Sequence, residues 1–321
     1  MQDVMLRGDF DPPYTLQEGN DEMKSNRWKR NLPLHLMIIP GVILIFLFAY
    51  IPMGGIAMAF QKFIPNRGLF GSEWVGFANF VYMINMPDIY DVVRNTVLIA
   101  MSKIVLGQFV AIMAALLLNE MRNRRVVRTV QTLIYMPHFL SWVILGGILV
   151  DVLSTNGGIV NQLLGVFGIE PIFFLGSNSW FPITLIASDI WKEFGFSTII
   201  YLAALTSINP TLYEAAYIDG ANRWKQTLHI TLPGIGPIVV LLALLSLGNV
   251  LNAGFEQVFM LYSPQVYRSG DIIDTMVYRI GFQDFQYGVS TAVNLFKSVI
   301  SMVLIIISYR LVYKIANYRI F

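Results

Sequence analysis

Three observations predict an all-α polytopic membrane protein with six spans. Hydrophobic residues make up 55% of the 321 and charged residues only 13%, with a mean hydropathy of +0.60. A soluble domain is about a quarter charged. Six apolar segments, about 34–58, 92–118, 130–153, 181–205, 235–256 and 289–313, are each long enough to cross a bilayer with some tilt. Lysines and arginines divide fourteen to four between the two alternating sets of segments outside them. The richer set holds both termini and the loops 119–129 and 206–234, and the excess of basic residues assigns it to the cytoplasm.

The first span follows some thirty polar residues and no cleavage site follows it, so it is not a signal peptide. Pro40 and Pro52 predict kinks in it, which membrane helices tolerate. Residues 1–33 form a cytoplasmic N-terminal region, 34–313 the membrane domain, and 314–321 a cytoplasmic end. Loop 60–91 carries Trp74, Phe77, Phe80 and Tyr82, either anchors at the headgroups or contacts for a docked protein. In loop 157–175, Ile159, Leu163, Leu164 and Phe167 recur at helical spacing, which predicts a short amphipathic helix at the outer interface.

Charges within spans need a reason, since each costs about 2.5–3.5 kcal/mol at a helix centre. The fourth span holds Asp189, Lys192 and Glu193 on one helical face. At 1.5 Å per residue they lie roughly 12–18 Å below its outer edge. Lys103 and Lys297 are at comparable depth. Either these groups line a water-filled pathway, or Lys192 bridges and neutralises both carboxylates. In the fifth span Asn249, Asn252 and Glu256 form a second polar line with the same two readings.

The chemistry the chain lacks is also informative. No cysteine is present, and His35, His138 and His229 have no metal-ligand spacing, which reads them as loop or interfacial residues. There is no phosphate-cradling GxxxxGK[ST] loop and no GxSxG nucleophile, so neither ATP hydrolysis nor an intramembrane enzyme is expected. A net charge of +2 says nothing about nucleic acid, because the positions of the charges matter more than their sum, and no nucleic-acid partner is expected.

Loop 206–234 is polar, yet strongly patterned. Asn209 can cap and Pro210 can open a short helix to Asp219, which Gly220 ends in a left-handed turn. A second short helix over 221–230 leads to Pro233, which opens the next span. Ala215 and Ala216 allow close approach of another surface, and Glu214 can accept hydrogen bonds. Glu214-Ala215-Ala216, Gly220 after three residues, and Ile230, Leu232 and Pro233 after nine more resemble the EAA signature of permease subunits in ATP-driven importers that use a separate solute-binding protein. From about residue 30 onward the chain is similar to the carbohydrate-uptake branch of that family. Tyr135-Met136-Pro137, NGGIVNQLL at 156–164 and IEPIFFL at 169–175 support the likeness, and length and tails resemble a subgroup importing oligosaccharides from polysaccharides such as pectin.

The resemblance implies a type I importer permease fold in a bacterial cell membrane. It implies a heterodimer with a second related permease, two ATPase subunits that bind Mg-ATP, and an extracellular sugar-binding lipoprotein; this chain itself holds no cofactor. Coupling to the ATPase falls to Glu214, Ala215, Ala216, Asp219, Gly220, Ala221, Ile230, Leu232 and Pro233. The alternative from a different class is a transporter or channel driven by an ion gradient, with Asp189 and Glu193 as relays.

Overall fold

The computed structural model describes residues 18–316, and the side chains of residues 31–311. Of the cytoplasmic ends expected at 1–33 and 314–321, residues 1–17 and 317–321 lie outside the described residues. The chain divides into two units, residues 1–55 and 56–321. In the first, α1 (Glu18–Ile45) contains Pro33 and Pro40 without being ended by them. It continues through a π-turn at Phe46–Tyr50 to Pro52. A proline has no N–H and its ring presses on the carbonyl four residues back. The wider π-turn sits where that carbonyl falls.

In the second unit a hairpin of two short strands, β1 (Gln61–Lys62) and β2 (Glu73–Trp74), precedes α2 (Ala78–Ile84). Trp74, Phe77 and Tyr82 are exposed, while Phe80 packs on Phe60 and Phe77. The long helix α3 (Ile89–Glu120) packs along α7 (Phe181–Thr206). Between them come α4 (Arg124–Tyr135), α5 (Trp142–Leu153) and α6 (Ile159–Val166). The expected short helix is α6, and Ile159, Leu163 and Phe167 are exposed on it. Asn161, within the 156–164 motif, ties it to the end of α5 and to the 169–175 motif: its amide donates to Leu153, Ser154 and Ile172 carbonyls, and its oxygen accepts from the Ile172 N–H at 2.8 Å.

Three expectations are corrected. The third apolar segment is not one helix. A 3-10 turn at Met136–Phe139 and extended Leu140 separate α4 from α5, and the two axes differ by 104°. Pro137 removes a donor from the ladder, and Ser141 restarts a helix by accepting from the Ile144 N–H. The fifth segment also breaks. Helix α9 (Arg223–Gly248) ends before Asn249, and Gly254 takes φ +96°, outside any right-handed helix, before α10 (Phe255–Leu261) begins. Asn249, Asn252 and Glu256 therefore do not share a helix face. Finally, Pro233 does not open a new helix. Helix α9 runs unbroken from Arg223 through a π-turn at Thr227–Thr231, which stands to Pro233 as Phe46–Tyr50 stands to Pro52.

After α10, α11 (Ile273–Tyr278) leads to α12 (Tyr287–Ala316), which packs on α9. Among the described residues, four helices are long and apolar enough to cross a membrane, or five if α4 and α5 together make one bent span. Helix α7 has the length but carries three charges.

One buried cluster joins Ile99 of α3, Phe181 and Leu185 of α7, Val258 of α10 and Ile272. A second joins Ala111, Ala115, Tyr201, Leu205 and Ile235. Small residues set the spacing. A Cβ on Gly195 of α7 would lie 2.0 Å from the Ile134 carbonyl oxygen of α4. Gly195→Ala is therefore expected to push α4 off α7, at an overpacking cost of about 1–3 kcal/mol. A lowered midpoint of thermal unfolding in detergent checks this; an unchanged midpoint contradicts it.

Candidate functional site

Two regions gather the residues singled out in the sequence. The first is the polar knob between α7 and α9. Asn209 Oδ1 accepts from the Thr211 N–H at 3.1 Å and starts α8 (Pro210–Ile218). Asp219 is its C-cap, and Gly220 follows at φ +75°. The Ala221 N–H reaches back to the Ala216 carbonyl at 2.9 Å and the Gly220 N–H to that of Tyr217 at 3.1 Å. This pair of bonds closes a helix end in the Schellman manner. Asn222 then caps the start of α9 through the Lys225 N–H.

The knob is braced where it meets the helices. Tyr213 Oη and Thr231 Oγ1 are 3.0 Å apart, joining α8 to α9, and Arg223 pairs with Glu120 at the end of α3. Glu214, Ala215, Asp219, Gly220 and Pro233 are exposed; Ala216, Ala221, Ile230 and Leu232 are half-buried. Leu212, Tyr217, Ile218 and Trp224, which sequence reasoning passed over, are 51%, 79%, 84% and 69% exposed. Apolar side chains this exposed on a braced polar loop form a patch of the kind that meets another protein. Their signal was present as four large side chains, apolar or aromatic, in an otherwise polar loop.

The second region lies where α3, α4, α5, α7 and α10 meet. The pairing differs from the expected bridge by Lys192. Asp189 pairs with Lys103 of α3 at 3.1 Å, and Lys192 pairs with Glu193 alone at 2.8 Å. Helix geometry explains this, because Lys103 reaches Asp189 from the neighbouring helix. Each lysine also serves a broken helix. Lys103 Nζ donates to the Ala253 carbonyl at 2.8 Å, in the gap between α9 and α10. Lys192 Nζ donates to the His138 carbonyl at 3.0 Å, in the turn between α4 and α5. Carbonyls freed by a helix break must be paired away from water, and here an ammonium supplies the donor.

Buried Gln257 completes the first arrangement. Its oxygen accepts from Lys103, and its amide donates to the Leu185 carbonyl and Ser188 Oγ, both at 2.8 Å. Glu193 is more open, with 39% of its side chain exposed, and its second oxygen is 2.7 Å from His138 Nδ1. His138 does lie in a turn, as expected, but with Glu193 as its partner it is no bystander. Its ring stacks on Phe196 at 4.2 Å, and Trp142 lies under Lys192. Phe139 is exposed beside it. The constellation offers hydrogen-bonding groups next to aromatic faces, which suits a polyhydroxylated ring. Asp189, Lys192 and Glu193 come together there; Asn249 and Asn252 are joined only by a 3.5 Å contact, and Glu256 stands in the first turn of α10.

The chain is 43% identical over 281 residues to the polygalacturonan/rhamnogalacturonan transport system permease protein YteP of Bacillus subtilis, covering 88% of each. It is 40% identical to protein LplB of the same organism over 86% of this chain and 87% of that one. Its fold matches a bacterial alginate transporter crystallised with an alginate pentasaccharide-bound periplasmic protein, at a TM-score of 0.84 and 36% identity, covering 92% of this chain and 99% of that one. Residues 107–320 match the family described as binding-protein-dependent transport system inner membrane component, and the chain belongs to that family.

Proposed function

We propose that the chain is the permease subunit of an ATP-binding-cassette importer that moves oligosaccharides, of the kind released from pectin, into the bacterial cytoplasm. It crosses the membrane six times, with α4–α5 as a bent span and α7 as a charged one. Both termini and the knob at 206–234 face the cytoplasm. It pairs with a second related permease and two ATPase subunits that bind Mg-ATP, and it receives sugar from an extracellular sugar-binding lipoprotein. Closure of the ATPase dimer moves the knob, and the pathway beside Glu193 and His138 alternates between the two sides. The braced knob, with its exposed Leu212, Tyr217, Ile218 and Trp224, is the observation that carries this reading.

The ion-gradient alternative is weaker, since Asp189 and Glu193 are each held by a lysine. It also leaves the knob without a purpose. The test is reconstitution. The isolated permease is expected to hydrolyse no ATP. Hydrolysis appears with the ATPase subunits and rises when sugar-loaded binding protein is added. Nucleotide turnover by the pure chain, or an assembled complex deaf to the binding protein, refutes the proposal.

A further inference from the structure

The outer ends of α3 and α7 enclose a cavity of about 350 Å³ that the pathway above does not use. Its walls include Arg94, Asn95 and Leu98 of α3, Asn178 and Pro182 at the start of α7, and Arg268 from the segment before α11. The wall is pre-formed. Buried Asn95 donates to the Arg268 carbonyl at 3.0 Å and the Asp271 carbonyl at 3.3 Å, and Asn178 donates to the Gln265 carbonyl at 3.0 Å.

Charge distinguishes this cavity from the rest of the helical core. Lys103, Lys192, Arg279 and Lys297 are neutralised by Asp189, Glu193, Asp271 and Asp274. Arg94 and Arg268 have no carboxylate partner among the described residues. Both guanidiniums are exposed and ready to form the bidentate pair that a carboxylate accepts. Leu98, Ile99 and Pro182 give the recess an apolar floor, and its volume falls within the range of small-molecule sites. Pro182, Asp189 and Glu193 are offset by seven and eleven residues, so they share one face of α7. The cavity lies about 16 Å along that face from Glu193. A lipid phosphate needs only a surface guanidinium. A recess with two guanidiniums over an aliphatic floor fits a sugar ring that carries an acid group.

We infer that Arg94 and Arg268 form an entry subsite for the carboxylate of a uronic-acid residue, gripping an acidic oligosaccharide before it reaches Glu193 and His138. The inference rests on the importer reading and narrows its substrate to acidic sugars. The experiment uses the complete importer in vesicles with its binding protein, and trigalacturonate as the probe. Arg94→Gln with Arg268→Gln should lower trigalacturonate uptake about tenfold, the loss of one charge-assisted pairing. Affinity of the vesicles for the binding protein should stay unchanged, and both side chains are exposed, so folding is spared. Unchanged uptake overturns the inference. So does a parallel loss of binding-protein affinity, which would make the arginines a protein contact. A defect that disappears in vesicles without anionic phospholipid would assign them to lipid phosphate and overturn it too. A wild-type importer that moves a neutral galactotriose but not trigalacturonate sinks this subsite alone; one that moves neither takes the importer reading with it.

Discussion

Gly220→Val is expected to uncouple the importer while leaving the chain folded in the membrane. Gly220 holds φ +75°, and a Cβ there meets nothing within 4 Å. The penalty is therefore conformational and not steric, about 1–2 kcal/mol for a residue with a Cβ in the left-handed region. A β-branched valine raises it further. Relief comes by abandoning the bonds from Gly220 to Tyr217 and from Ala221 to Ala216, which swings α8 relative to α9. Exposed Leu212, Tyr217 and Ile218 are then displaced from the proposed ATPase contact. Sugar uptake should fall at least about tenfold, the effect of roughly 1.4 kcal/mol at the coupling step, and ATP hydrolysis should lose its response to the binding protein. Glu214→Lys, on the exposed side of the same helix, should act similarly by reversing charge at the contact. Normal stimulated uptake in both variants would reduce the knob to a connector.

The second large effect is expected at Lys103. Lys103→Met leaves Asp189 without its cation, the Ala253 carbonyl without its donor and Gln257 without a partner for its oxygen. Breaking a buried pair from one side costs about 3–5 kcal/mol, so yield and thermal stability of the complex should collapse. Glu193→Gln is the contrasting variant. Glu193 is partly open and keeps its shape as glutamine, so assembly should survive while uptake falls. Should both variants assemble equally well, the division into a structural Lys103–Asp189 pair and an open Glu193–His138 pair fails.

Much of this was legible from residue patterns, and the failures share a cause. The knob could be read because its determinants are local: a capping asparagine, a proline at the first helical position and a glycine in the left-handed turn act within a few residues of each other. The positions of the apolar segments followed from hydropathy in the same way. Breaks at 140–141 and 249–254 were missed because an apolar run keeps its length and hydropathy whether or not its helix is continuous. Pro137 and Gly254 carried that signal within the runs. The partnership of Lys103 with Asp189 could not be read at all, since 86 positions separate them and only the packing of α3 on α7 joins them. His138 was hidden for the same reason: nothing in its neighbours announces Glu193.

The two interrupted helices also restrict which flank of the molecule can be wetted by hydrocarbon. Acyl chains offer no hydrogen bonds, so non-helical backbone at membrane depth survives only against protein or water. At both interruptions a lysine head occupies a freed carbonyl from the interior side, and neither site can be turned outward without stranding an ammonium in oil. Backbone at Leu140, Ser141 and Asn252 therefore belongs against protein or water, whereas Val105, Phe109 and Met113 make an uninterrupted exposed apolar stripe on α3 that suits acyl chains. A spin label on that stripe should report acyl-chain mobility and oxygen access, whereas one at Ser141 should sense an aqueous or protein-packed surrounding.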